Sequence, residues 1–134
     1  MEYEILEHTA DLKIRAYGKD LPELFSNMLK GMFEACEPII SNRSSIVSRE
    51  VKIQSPNLES LLVDFLSEAL YLSDVNDEIY FQAEFEKLTE NELIGKLKGH
   101  KIKGLKEEIK AVTWHDLKIE RCNNHWEAVV LFDI

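Results

Sequence analysis

Residues 110–134 read KAVTWHDLKIERCNNHWEAVVLFDI. Two strand-length runs flank Asn123-Asn124, a dipeptide that tolerates positive φ at the centre of a tight turn. The segment therefore reads as a β-hairpin, one arm from Lys110 to Arg121 and the other from His125 to Asp133. Period-two alternation recurs upstream, in Leu12, Ile14 and Ala16, in Val51 and Ile53, and in Ile79, Phe81, Ala83 and Phe85, and each run is a strand. A further strand from Glu92 to about Lys101 carries Gly95 and Gly99, which points to twist, a bulge or close backbone approach. Two segments break this period. Asp20, with Pro22 and Glu23 behind it, opens a helix whose apolar positions are Leu21, Leu24, Phe25, Met28, Leu29, Met32, Phe33 and Cys36; Pro38 stops it. Asn57 caps a second helix with Leu58, Leu61, Leu62, Phe65, Ala69 and Leu72 on one face. Val63, Leu66 and Leu70 widen that stripe, so the second helix is expected to be the more deeply buried. The order β–β–α–β–α–β–β–β–β lacks the strict βα alternation of a parallel sheet. The fold class is α+β, two amphipathic helices packed on a mostly antiparallel sheet.

At 134 residues one domain, 1–134, is expected. No repeat, low-complexity tract or Pro/Gly/Ser linker divides it. No apolar run approaches the ~20 residues that span a bilayer, and the acidic start lacks a secretory core, so no membrane association is expected. Cys36 and Cys122 form no disulfide framework, which suits a reducing, cytoplasmic setting. With 16 Lys+Arg against 25 Asp+Glu the net charge is −9. Phosphate-binding surfaces need clustered cations; the run Lys96, Lys98, Lys101, Lys103 and Lys106 reads as a solvated strand, and direct nucleic-acid binding is not expected. The acidic balance favours a basic partner or a hard metal ion.

Asp11 stands at the mouth of the first well-defined strand, and the sequence closes Phe132-Asp133-Ile134. If the Asp11 strand and the last strand are antiparallel neighbours, Asp11, Asp133 and the Ile134 carboxylate meet at one rim. Three carboxylates together repel unless protonated or neutralised, and their hard oxygens favour Ca²⁺, Mg²⁺ or Mn²⁺. An exposed turn aspartate and an ordinary terminus explain the same residues without a site. His8, three positions before Asp11, suits a turn cap or a partner contact. His100, His115 and His125 stand in no H-x-x-x-H or His/Cys zinc signature, and no zinc site is expected from them. Asp64 and Glu68 read as the polar face of the second helix. No Ser/His/Asp order, phosphate-cradling glycine loop or nucleophile elbow is present.

Five blocks in register resemble the archease family along nearly the whole chain. They are His8-Thr9-Ala10-Asp11, the strand ending Arg15-Ala16-Tyr17-Gly18-Lys19 with the helix opening Leu21-Pro22-Glu23-Leu24-Phe25, the run from Leu58 to Leu72, Glu108 to His115, and Phe132-Asp133-Ile134. Trp114 stands where the family more often has Tyr. The resemblance implies an archease-like fold and a non-enzymatic accessory protein of an RtcB-type RNA ligase in tRNA splicing and RNA repair. It implies promotion of the ligase's guanylylation and repeated turnover, with a divalent metal, Ca²⁺ above Mg²⁺ or Mn²⁺, on Asp11, Asp133 and Ile134. It makes Lys110 a functional contact. Two other classes stay open: a small metal-dependent hydrolase built on Asp11, His8 and Asp133, and a chaperone-like interaction module without metal.

Overall fold

Each helix of the computed structural model begins at its expected cap. Asp20 accepts a hydrogen bond from the Glu23 N–H at 2.9 Å ahead of α1 (Leu21–Ala35), and Asn57 accepts from Ser60 at 2.8 Å ahead of α2 (Leu58–Asn76). Such caps satisfy first-turn amides that have no partner within the helix. α1 ends at Cys36; Glu37 turns to a φ of 48° and Pro38 opens the next segment. The structure describes residues 1–6, 11–42 and 45–134. The strands are β1 (Tyr3–Leu6), β2 (Asp11–Gly18), β3 (Pro38–Ile40), β4 (Ile46–Gln54), β5 (Glu78–Leu88), β6 (Glu92–Leu105), β7 (Ala111–Cys122) and β8 (His125–Asp133).

All of these pairings are antiparallel. One sheet runs β1-β2-β8-β7; in the other, β6 is flanked by β4 and β5 and its far end pairs with β3. Both helices contact both sheets. The core between them holds Phe25, Phe65 and Phe85 in mutual ring contact, with centroids 5.7, 6.4 and 5.7 Å apart, and Phe33 edge-on to Tyr80. The expected ranking of the helices is reversed. α1 buries its stripe from Leu24 to Phe33, while α2 leaves Tyr71 60% and Val75 55% exposed near its C-terminal end. Tyr71 and Val75 lie off the apolar stripe, whose members Leu61, Leu62, Phe65, Leu66 and Ala69 are fully buried. β3 was not expected, being three residues long and led by proline.

Gly99 and Gly95 mark close approach. A Cβ at Gly99 would lie 1.7 Å from the Ile79 carbonyl oxygen, and one at Gly95 2.4 Å from that of Glu84. β5 changes register beside both, between Tyr80 and Gln82 and between Phe85 and Lys87, so the bulges fold the partner backbone onto the bare glycines. Gly99→Ala should therefore cost about 1–3 kcal/mol. Gly104→Ala in the same strand, where no atom lies within 4 Å of the added methyl, should stay within about 0.5 kcal/mol. Urea unfolding of the two variants checks this.

Glu78 opens β5 fully buried. Arg49 donates to it twice, Nε to Oε1 at 2.9 Å and an NH2 to Oε2 at 2.7 Å; Tyr80 donates at 2.8 Å, and the Lys101 ammonium lies 3.1 Å away. A forked Arg–carboxylate pair offsets the cost of burial. The Arg49 donors, opposed by burial and assisted by Tyr80 and Lys101, hold the Glu78 carboxyl down at about 2. A depressed carboxyl contributes stability above its ordinary pKa and loses it as pH falls through the folded value. Stability should therefore decline from about pH 4.5 toward about pH 2. Arg49→Met should cost about 3 kcal/mol at neutral pH and flatten that decline relative to the wild-type chain, read by urea midpoints across the range.

Candidate carboxylate site

β2 and β8 pair without a break from Asp11 opposite Asp133 to Gly18 opposite Trp126. Ile14 and Ala16 on one strand, and Ala128, Val130 and Phe132 on the other, are fully buried against the helices. Because strand side chains alternate, Asp11, Lys13, Arg15 and Tyr17 share the opposite, outer face with Glu127, Val129, Leu131 and Asp133. Asp11 and Asp133 are thus direct cross-strand neighbours at one end of that face. Paired residues of antiparallel strands have Cα atoms about 4.5–5.5 Å apart. Asp11 is half-buried and Asp133 exposed; like charges placed so oppose strand pairing.

On the other side of β8, Ala111 pairs with Asp133, and the Lys110 N–H donates to the Asp133 carbonyl oxygen at 2.7 Å. Lys110, exposed, enters β7 at the same rim, and Ile134 follows Asp133, 39% exposed. Asp11, Asp133, Ile134 and Lys110 therefore converge along the backbone as the antiparallel premise required. His8 lies outside the described residues. The two cross-strand aspartates offer hard oxygen donors, which fit Ca²⁺, Mg²⁺ or Mn²⁺.

Near β1 the outer face is polar and internally paired: Arg15 and Tyr17 both donate to Glu4, at 3.2 and 2.7 Å. A groove of about 720 Å³ opens near Lys110, bounded by Leu70 and Asp74 of α2, Ile102 and Leu105 of β6, and Val112 of β7. Asp11 and Asp133 are not among its lining residues, so the carboxylates sit on a sheet surface rather than in that concavity.

Among the described residues, one cluster escaped sequence reasoning. Cys122, His125 and Glu127 bring a sulfur, an imidazole nitrogen and a carboxylate oxygen within 4.8 Å of one another. Cys122 and His125 face each other across the Asn123-Asn124 turn, and Glu127 follows His125 at the next position on the same face. The readable sign was C-x-x-H straddling a predicted two-residue turn, which a hairpin converts into a facing pair.

Comparisons with known proteins agree with this architecture. The model of the Archease protein family matches residues 3–134. The chain is 41% identical to the protein archease of Methanosarcina mazei, covering 99% of this chain and 96% of that one, and 36% identical to that of Pyrococcus furiosus, covering 99% of each. Its fold superimposes on the solution structure of Methanobacterium thermoautotrophicum protein 1598 with a TM-score of 0.74 at 32% identity, covering 98% of both chains. It also matches the crystal structure of a Thermotoga maritima archease described as a possible chaperone, with a TM-score of 0.69 at 25% identity over 96% of this chain and 94% of that one. Two helices on antiparallel sheets, matched from end to end in sequence and in fold, place this chain in the archease family.

Proposed function

We propose that this chain is a metal-binding, non-enzymatic accessory protein of an RtcB-type RNA ligase, acting in the cytoplasm to promote the ligase's guanylylation and repeated turnover. The observation that carries the reading is the register that sets Asp11 opposite Asp133, together with family membership. The description of the Thermotoga relative as a possible chaperone supports the broader idea of a protein that works on another protein.

In this reading Asp11, Asp133 and the Ile134 carboxylate hold a divalent ion, Ca²⁺ before Mg²⁺ or Mn²⁺, at the edge of the outer face. When bound, such an ion supplies charge neutralisation for phosphate groups, which nucleotidyl transfer requires. The antiparallel backbone orients both aspartates, and the Lys110 amide fixes the Asp133 main chain at 2.7 Å. The Lys110 ammonium and His8 contact the partner. The net charge of −9 steers the chain to a basic enzyme surface, so RNA is reached at one remove. Binding that favours the competent ligase conformation accelerates its chemistry without contributing a reacting group. A hydrolase reading lacks support, because these carboxylates do not line the groove beside them.

Purified ligase with GTP and RNA ends should turn over repeatedly only with this protein present, and chelator should abolish the gain. Asp11→Ala with Asp133→Ala should lose most of the stimulation, at least about tenfold by analogy with the 10–100-fold effects of changes around metal ligands. Full stimulation by the double variant would refute the metal-dependent reading, while chelator-insensitive stimulation would favour a metal-free chaperone. In the absence of ligase, Ca²⁺ or Mn²⁺ should raise the melting temperature of the wild-type chain. Asp133→Asn should remove that response and, by relieving like-charge repulsion, stabilise the metal-free chain by about 0.2–1 kcal/mol; calorimetry with and without cation reads both effects.

A further inference from the structure

Cys122, His125 and Glu127 lie at the far end of the same outer face, away from Asp11 and Asp133. Glu127 and Asp133 are six residues apart on β8, about 20 Å at ~3.3 Å per residue, so one ion cannot serve both ends. Cys122 and His125 are the pair that closes the hairpin turn, and Glu127 pairs with Glu120. All three side chains are half-buried, so their positions are partly set by packing while solvent ions retain access. The His125 Nε2 already lies 3.0 Å from a Glu127 carboxylate oxygen, and the Tyr17 ring packs 6.2 Å from the imidazole.

We propose that Cys122, His125 and Glu127 form a binding site for a borderline-soft transition ion, Zn²⁺ by preference. Bonds of about 2.3 Å to sulfur and about 2.0–2.2 Å to nitrogen and oxygen put tetrahedral ligand atoms roughly 3.3–3.8 Å apart. The three donors lie within 4.8 Å of one another, about an ångström beyond that spacing. One sulfur, one nitrogen and one oxygen leave the fourth position open to water or an external ligand, as in exchangeable zinc sites. On binding, the thiol proton of Cys122 leaves to solvent and the sulfur ligates as thiolate; no redox step is involved. Glu120, facing Glu127, is paired with the Lys118 ammonium at 2.9 Å, so Glu127 and the Cys122 thiolate supply the charge that holds a cation. The soft donor separates this site from the all-oxygen rim, which suits Ca²⁺ or Mg²⁺.

Co²⁺ titration of the full, reduced chain tests the site, because a thiolate ligand gives cobalt a sulfur-to-metal charge-transfer absorption. One equivalent should develop that band, and Zn²⁺ should displace it. Cys122→Ser should abolish the band, while His125→Gln and Glu127→Gln should each weaken binding at least about tenfold. Asp133→Asn should leave all of this unchanged. Retention of the band in Cys122→Ser, failure to develop it in the wild-type chain, or equal affinity in the His125 and Glu127 variants would overturn the proposal. Circular dichroism confirms that each variant is folded; if Cys122→Ser is not, the His125→Gln and Glu127→Gln affinities decide alone.

Discussion

The fold depends on the antiparallel closure of β2 against β8, which joins the first long strand to the last. The inward face of β2 is set by burial. Ile14 and Ala16 must face the helices together with Ala128, Val130 and Phe132, and a slip of one residue would turn every one of them to the opposite face. At about 25 cal/mol per Å² of apolar surface, exposing that set would cost far more than the repulsion of two facing carboxylates, which is on the order of 1 kcal/mol. The alternation of Ile14 and Ala16 with Lys13 and Arg15 sets which face of β2 turns inward, and the observed register stands Asp11 opposite Asp133. The pairing of two acidic residues at the rim follows from that register.

The same constraint organises the outer face as a strip with different chemistry at its two ends. At one end the backbone gathers hard oxygen donors beside the entry of β7. At the other, the two-residue turn sets a thiol against an imidazole with a carboxylate one step along. Between them Arg15 and Tyr17 are tied to Glu4, and Val129 and Leu131 are buried although they face away from the helices. Strand alternation alone would predict polar residues at those two positions; instead they continue an apolar run from Ala128 to Phe132.

Much of this was legible in the sequence, and the reasons are local. Asp20 and Asn57 mark helix starts because an N-cap is chosen by first-turn amides and hardly by the remainder of the fold. Asn123-Asn124 marks the hairpin because few residues accept its backbone angles. Gly95 and Gly99 pointed to a close approach that the bulges of β5 realise. What escaped depends on residues distant in sequence. Glu78 reads as an ordinary polar strand residue until Arg49, twenty-nine positions earlier, supplies the forked partner that lets it be buried. The carboxylate rim was legible only conditionally, through an assumed strand pairing, and the Cys122 cluster only by projecting residues across a turn.

The most direct test of the central claim is to locate the cation itself. Substoichiometric Mn²⁺ added to isotopically labelled protein broadens amide resonances near its binding site. Asp11, Lys110, Ala111 and Asp133 should broaden first and together, and Asp133→Asn should remove the effect. Broadening spread evenly over the acidic surface, or centred away from the β2–β8 rim, would contradict the claim.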